Sequence, residues 1–398
     1  MQLTARAALC AAGVLCLPLR ADVLPDDRTD VQASHYIGGG QDINGFSVLV
    51  RKKAGDHVSL AYSHVTDVVS GASIDVRTSG ASPYRETRNQ DGLSADLLFG
   101  KTTYSIGATH SAEPDYTSNT ANFGISESMF GDLTTVTLNY RRTWNDVYKM
   151  LCDMRNSDNG CVGKVHDPAF GRKDMDERSY GVGLSQVLTR NSILGLNFEV
   201  ITDQGWLSNP YRSVLYANSS LGSGYALAPE VDPSTRTSYA LGLNYKYYLP
   251  WRAALDGQYR YYGDTWGIRS STLQLGYTQP WRHWIFDGSA RFYTQTRADF
   301  YSDLFSSADQ QNFMSRNREL SDFDSWTLGA GASYQFTMPY ATWIQKSTAN
   351  FRFDHFIFDY KDFRNALLID PAAGVAAGQE PLYSLQLNVF QLFLSVWY

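Results

Sequence analysis

Apolar side chains occupy every second position over runs of about ten residues, and the run repeats along most of the chain. Leu93, Ala95, Leu97 and Phe99 share one face, as do Leu194, Leu196, Phe198 and Val200. Tyr239, Leu241, Leu243, Tyr245 and Tyr247 make a longer stripe, and Trp326, Leu328, Ala330, Ala332, Tyr334 and Phe336 another. A period of two is the pleat of a strand with one apolar and one polar face. Such a chain is all-β, and the open question is which face meets water.

Composition narrows the answer. The 398 residues are 43% hydrophobic and only 19% charged, yet the one long apolar run is N-terminal and short of the about 20 residues a membrane helix needs. With 26 Tyr, 20 Phe and 9 Trp, the chain carries too much aromatic surface to stay disordered. A formal net charge of −6 argues against a general nucleic-acid binder.

Opposite the apolar stripes stand ionisable residues in mid-strand: Asp96, Arg141, Glu199, Lys246, Asp256, Arg260, Asp287, Arg291, Arg352 and Asp354. A soluble sandwich would turn the stripes inward, whereas a membrane barrel turns them to lipid and the charges into a wet lumen. Three features favour the barrel. Short links at 53–57, 100–102, 129–132, 189–191, 249–252, 279–283 and 338–346 alternate with long ones at 70–91, 145–178, 202–235, 297–323 and 361–382. Aromatics gather near the short links, as an interfacial girdle would: Tyr247, Tyr248, Trp251, Trp281, Trp284, Tyr340 and Trp343. The chain also ends on an aromatic, with Phe390, Leu392, Leu394 and Val396 sharing the face of Tyr398, the pattern of a C-terminal signal for the barrel-assembly machinery.

Residues 1–21 read as a cleavable secretory signal, with Arg6 ahead of an apolar stretch and a small residue at Ala21. Residues 22–398 then form the expected unit: a transmembrane antiparallel β-barrel of the bacterial outer membrane, of about sixteen strands. The expected strands are 29–37, 45–53, 57–69, 92–100, 102–112, 118–128, 133–145, 178–188, 192–202, 236–249, 252–263, 268–280, 283–296, 324–337, 347–360 and 383–398. Both termini fall on the periplasmic side and every long loop outside. Cys152 and Cys161 have eight residues between them within a polar loop, the arrangement of a loop-closing disulfide in an exported chain.

The stretches VSGASIDV (69–76), FGDLTTVTL (130–138), NPYRSV (209–214), YRYYGDTWGI (259–268), TQTRADFYSDLF (294–305) and QLFLSVWY (391–398) carry a resemblance. Over the whole mature chain the sequence resembles a bacterial family known as a domain of unknown function, numbered three thousand five hundred and seventy. The resemblance implies an exported outer-membrane protein. Its relatives tend to be encoded beside a small lipoprotein, a thioredoxin-like protein and a flavin transferase, which implies a redox pathway in the envelope. It supplies no catalytic residues.

The sequence holds no GxSxG, HExxH, CxxC or phosphate-binding glycine loop. The seven histidines, at 35, 57, 64, 110, 166, 283 and 355, have no metal-ligand spacing. No cofactor, metal site or enzymatic role is therefore expected. Five bases and five acids on the polar faces predict a lumen of weak ion preference. The leading reading is a pore for small solutes embedded in outer-membrane lipid. The alternatives are a non-conducting scaffold or sheath for an exported redox lipoprotein, and an outer-membrane hydrolase with a serine and a histidine on adjacent strands. FYSDLF at 300–305 reads equally as a lumen constriction, a partner contact or a short packed helix.

Overall fold

A computed structural model describes residues 23–71, 74–78, 84–153 and 163–398. The expected signal segment 1–21, Cys161 and the side chain of Cys152 lie outside the described residues.

The strands follow the sequence periodicity but run further at one end. In chain order they begin β1 Arg28–Gly38, β2 Gln41–Lys53, β3 Val58–Gly71, β4 Tyr84–Phe99, β5 Thr102–Glu113, β6 Tyr116–Met129 and β7 Thr134–Val147. After the short hairpin β8 Met150–Asp153 and β9 Gly163–His166 come β10 Lys173–Thr189 and β11 Ser192–Gly205. A second hairpin, β12 Ser213–Ala217 and β13 Tyr225–Pro229, precedes β14 Thr235–Tyr248, β15 Ala254–Asp264, β16 Arg269–Trp281 and β17 Trp284–Gln295. The chain finishes with β18 Phe323–Phe336, β19 Lys346–Arg364 and β20 Leu382–Trp397. Among the described residues a short α-helix, α1, spans Ile74–Thr78. No helix among the described residues is long and apolar enough to cross a membrane.

Sixteen of these strands close into one antiparallel barrel, in the order β1 to β7, β10, β11 and β14 to β20. Closure joins β1 to β20, from Arg28 opposite Trp397 to Gly38 opposite Leu387. All backbone groups of such a sheet find partners within the wall, which is what a strand-built membrane span requires. The two ends differ. Tight turns at 54–57, 100–101, 130–133, 190–191 and 282–283 mark one end, shared with both termini. The opposite end carries the long segments between β7 and β10, β11 and β14, β17 and β18, and β19 and β20. It also holds the two-residue turn Gly39–Gly40, whose φ angles of 61° and 81° favour glycine.

The apolar stripes face outward. Leu93, Leu241, Leu275, Trp326, Leu328 and Leu392 are all exposed, so their alternates line the interior. The seven girdle aromatics are exposed as well and sit at the tight-turn end. The expected loop at 70–91 is shorter than its sequence suggests, because β4 begins eight residues early. Likewise DMDER at 174–178 belongs to β10, and the two extra hairpins are packed within long loops.

Candidate functional site: the barrel lumen

All ten charges on the polar faces take inward positions by strand alternation. Three of the acids share a device. Asp256 is the register partner of Gly276, Asp287 of Gly331 and Asp354 of Gly329. A Cβ at any of these glycines would overlap the facing carboxylate, so the acids lie flat along the wall. Arg352 joins two of them. Its Nη1 is 2.8 Å from Asp287 Oδ2, its Nε donates to Asp354 Oδ2 at 2.8 Å, and its Nη2 donates to Ser289 Oγ at 3.0 Å.

The other charges are spread round the wall. Asp96 accepts from Ser105 Oγ at 2.6 Å, and Glu199 from Ser179 Oγ at 2.7 Å. Arg141 reaches Glu177 at 3.4 Å, and the Arg260 guanidinium lies 5.7 Å from the Tyr262 ring centroid. Arg291 sits between Gln274 and Thr327 in the register. Lys246 and Asp256 are register partners beside a wall cavity of about 220 Å³ that Asn197, Asn244 and Gln258 also line. Toward the tight-turn end the interior is thus built of small polar side chains, glycine and paired charge.

The long-loop end is different. Inward-facing Phe323, Tyr360 and Leu385 form one buried cluster with Trp266 and Ile268 of the β15–β16 turn and Ala298, Phe300, Tyr301 and Leu320 of the segment 296–322. Phe323 and Tyr360 are register partners with ring centroids 5.2 Å apart. The segment 296–322 is therefore folded into the mouth as an insert. Backbone bonds fix it: Ala298 N donates to Leu320 O at 2.8 Å, and Asp299 N to Trp266 O at 2.8 Å. Phe305 N donates to Leu215 O and Ala217 N to Phe305 O, which seats the β12–β13 hairpin on the insert around Val214, Phe305 and Met314. FYSDLF takes no helix; its aromatics are core of this insert.

Buried charge accompanies the packing. Arg316 donates to Asp303 Oδ1 at 2.7 Å and to Arg364 O at 2.9 Å, with its guanidinium 4.5 Å from the Phe363 ring centroid. Arg236 binds Asp264 through Nε at 2.9 Å and stacks 4.5 Å from the Trp266 ring. Burial, reinforced by neighbouring Glu230, raises the Asp232 carboxyl well above its usual range. Beyond the apolar band, at the end of β19, burial pushes Asp362 up to about 6; Asp322 and Asp303 add to this, while the Asp322 amide and Arg297 oppose it.

Two clusters bear on chemistry. Glu86, Glu113 and Asp115 bring carboxylate oxygens within 4.8 Å of one another at the rim, the one such group of metal-ligating residue types among the described residues. Outside the barrel, His64 Nδ1 is 2.9 Å from Asp91 Oδ1 and Nε2 is 3.1 Å from Thr66 Oγ1. A hydrolase would need that hydroxyl proton on the imidazole, but Thr66 donates to Asn89 Oδ1 at 3.0 Å.

Sequence reasoning missed the inward pairs Arg88–Asp67 and Arg236–Asp264, which lie beyond the ends of the apolar stripes. It also left open where the 296–322 segment goes. The aromatic density of FYSDLF was the available signal.

A closed sixteen-stranded antiparallel wall, apolar outside and charged within, defines an outer-membrane-type β-barrel. Within that class, the chain belongs to the family described as Protein of unknown function (DUF3570), which matches residues 75–365. No curated protein matches the sequence. Among solved structures, CdiB from Acinetobacter baumannii is similar at 9% identity and a TM-score of 0.48, over 94% of this chain. The chain spans only 60% of that protein's length. A bacterial polysaccharide outer membrane secretin is similar at 8% identity and a TM-score of 0.47, over 93% of this chain and 99% of its own. The CymD monoaromatic hydrocarbon channel is similar at 8% identity and a TM-score of 0.42, over 94% of this chain and 89% of its own.

Proposed function

We propose that the protein is a small-solute pore of the bacterial outer membrane, with periplasmic termini and an insert that restricts its outer mouth. The observation that carries the reading is the flat-lying charge of the inner lumen. Asp256, Asp287 and Asp354 lie in glycine recesses along the wall rather than projecting across the lumen. A partner buried there would instead need each charge matched across an interface, since an unmatched buried charge costs several kcal/mol. A sixteen-stranded barrel is of porin width. Insertion would use the barrel-assembly machinery, through the face shared by Phe390, Leu392, Leu394, Val396 and Tyr398. Planar-bilayer recording of the purified barrel tests this: steps of conductance with weak ion selectivity support it, and a silent barrel contradicts it.

The packed mouth favours a second reading. A barrel closed outside and open toward the periplasm suits a sheath for an exported redox lipoprotein. Co-purification of such a lipoprotein with a non-conducting barrel would select it.

A further inference from the structure

The tripeptide Pro-Trp-Arg occurs twice, at 250–252 and 280–282, and the two copies fall in neighbouring turns at the tight-turn end. One joins β14 to β15 and the other β16 to β17, and β15 pairs with β16 from Ala254 opposite Thr278. Arg252 and Arg282 both take a left-handed backbone, with φ of 65° and 57°. Hairpins ordinarily fill such positions with glycine or asparagine, because a Cβ there is strained. Among the described residues the only other non-glycine positions of this kind are Phe130 and Asp132, which flank Gly131 in the β6–β7 turn.

The two turns are tied together on the outward face. Trp251 Nε1 donates to Tyr277 Oη at 3.2 Å, Tyr277 Oη donates to Gln279 Oε1 at 2.8 Å, and Gln279 Nε2 donates to Pro280 O at 2.9 Å. Trp251 and Trp281 are both exposed, and the Arg282 guanidinium lies 5.3 Å from the Trp281 ring centroid. The β10–β11 turn adjoins them and adds Arg190. There Asn191 Nδ2 donates to Tyr248 O at 3.2 Å, and Tyr248 N donates to Asn191 O at 2.7 Å.

Charge is lopsided at this rim. Arg190, Arg252 and Arg282 are exposed, and among the described residues none has a carboxylate within ion-pair distance. Residues 189–191, 249–253 and 281–284 include no acid, and the first acids along β15 and β17, Asp256 and Asp287, face the lumen. Elsewhere at this end acids match bases. Lys52 pairs with Asp27 at 2.6 Å, Lys53 with Asp26 at 3.5 Å and Lys101 with Asp132 at 2.6 Å, and Asp56 adds a further acid. The β18–β19 connection 337–345 has no charge; Lys346 follows it, 4.2 Å from the Trp397 ring centroid.

We propose that the paired Pro-Trp-Arg turns are a docking site for the phosphodiester headgroup of a glycerophospholipid in the periplasmic leaflet. Guanidiniums bind phosphate oxygens through paired, charge-assisted bonds. Indole rings sit at headgroup level, which leaves the acyl chains against the apolar band. The Trp251–Tyr277–Gln279–Pro280 chain of hydrogen bonds holds the platform before any lipid arrives, so little ordering opposes binding. Interfacial anchoring by tryptophan alone gives no reason to keep arginine at two strained positions. The proposal rests on the periplasmic placement of the tight-turn end and is independent of whether the lumen conducts.

The test uses the purified full-length barrel, stripped of lipid in neutral detergent and mixed with phosphatidylglycerol or with diacylglycerol of the same acyl chains. Native mass spectrometry counts the lipid retained. Phosphatidylglycerol is expected to bind about tenfold more tightly, and inorganic phosphate at equal concentration is expected not to displace it. The variant R252G/R282G removes both guanidiniums while relaxing the backbone, so it should keep the unheated gel mobility of a closed barrel and lose the preference. K53Q on β2, across the barrel, should keep the preference. Equal retention of the two lipids by the wild type overturns the proposal, and so does a preference that survives in R252G/R282G or a lipid displaced by inorganic phosphate. Cleavage at 282–283 by protease added outside intact cells would overturn the orientation instead.

Discussion

Arg316 and Asp303 form an ion pair of 2.7 Å inside the insert at the long-loop mouth, with the Arg316 side chain only 2% exposed. Because Arg316 also donates to Arg364 O, the pair fastens the insert to the end of β19. Breaking a buried pair by removing one member typically costs about 3–5 kcal/mol, since the other charge stays buried and uncompensated. Arg316→Ala should therefore release 296–322 without opening the barrel wall. Limited proteolysis of intact cells from outside should cut this segment in the variant and spare it in the wild type, while the unheated barrel keeps its gel mobility.

Acid should tighten the same mouth. Asp362 in the folded protein is raised from 3.8 to about 6, so the native state binds more protons than the unfolded chain between those values. Its contribution is fully present below pH 3.8 and is lost as pH rises through about 6. Asp232, raised by burial and Glu230, acts in the same direction. Hydrogen exchange of 296–322 should accelerate between pH 4 and pH 6 after correction for the intrinsic rate, and Asp362→Asn should flatten that rise. A profile unchanged by the substitution would remove Asp362 from the account.

The glycine recesses give a lumen prediction. Gly331→Ala would push the Asp287 carboxylate off the wall and with it one partner of Arg352. The obstructing atoms are the end of a flexible side chain, so the barrel should remain folded. Cation preference should rise as the displaced carboxylate enters the solute path, measurable as a shift in reversal potential under a salt gradient.

Tyr398 closes the wall as well as ending the chain. Its hydroxyl donates to Arg51 O at 3.1 Å, and Lys52 Nζ lies 5.0 Å from its ring centroid. Tyr398→Asp should lower the amount of barrel in the outer membrane several-fold while the precursor accumulates in the periplasm. Quantitative blotting of the two fractions checks this.

The wall was legible because its rule is local. Alternation at Tyr239 to Tyr247 or Trp326 to Phe336 needs no knowledge of neighbours, and all sixteen expected strands overlap barrel strands. Their ends at the long-loop side were not legible, because past the lipid boundary nothing requires the outward residues to be apolar, as Asp359 and Lys361 show. The insert was harder still. Phe300, Tyr301 and Phe305 are buried by partners in other loops and on the far strands β18 to β20, so no period marks them.

The most direct test of the account is the conductance of two barrels in planar bilayers: the wild type, and a form in which 299–319 is replaced by a short Gly-Ser link. The hydrogen bond from Ala298 N to Leu320 O already brings the cut ends together, so the wall should tolerate the exchange. The account predicts small conductance steps for the wild type and steps several-fold larger, still weakly selective, once the insert is gone. Silence from the wild-type barrel, shown to be folded and inserted, would contradict the pore.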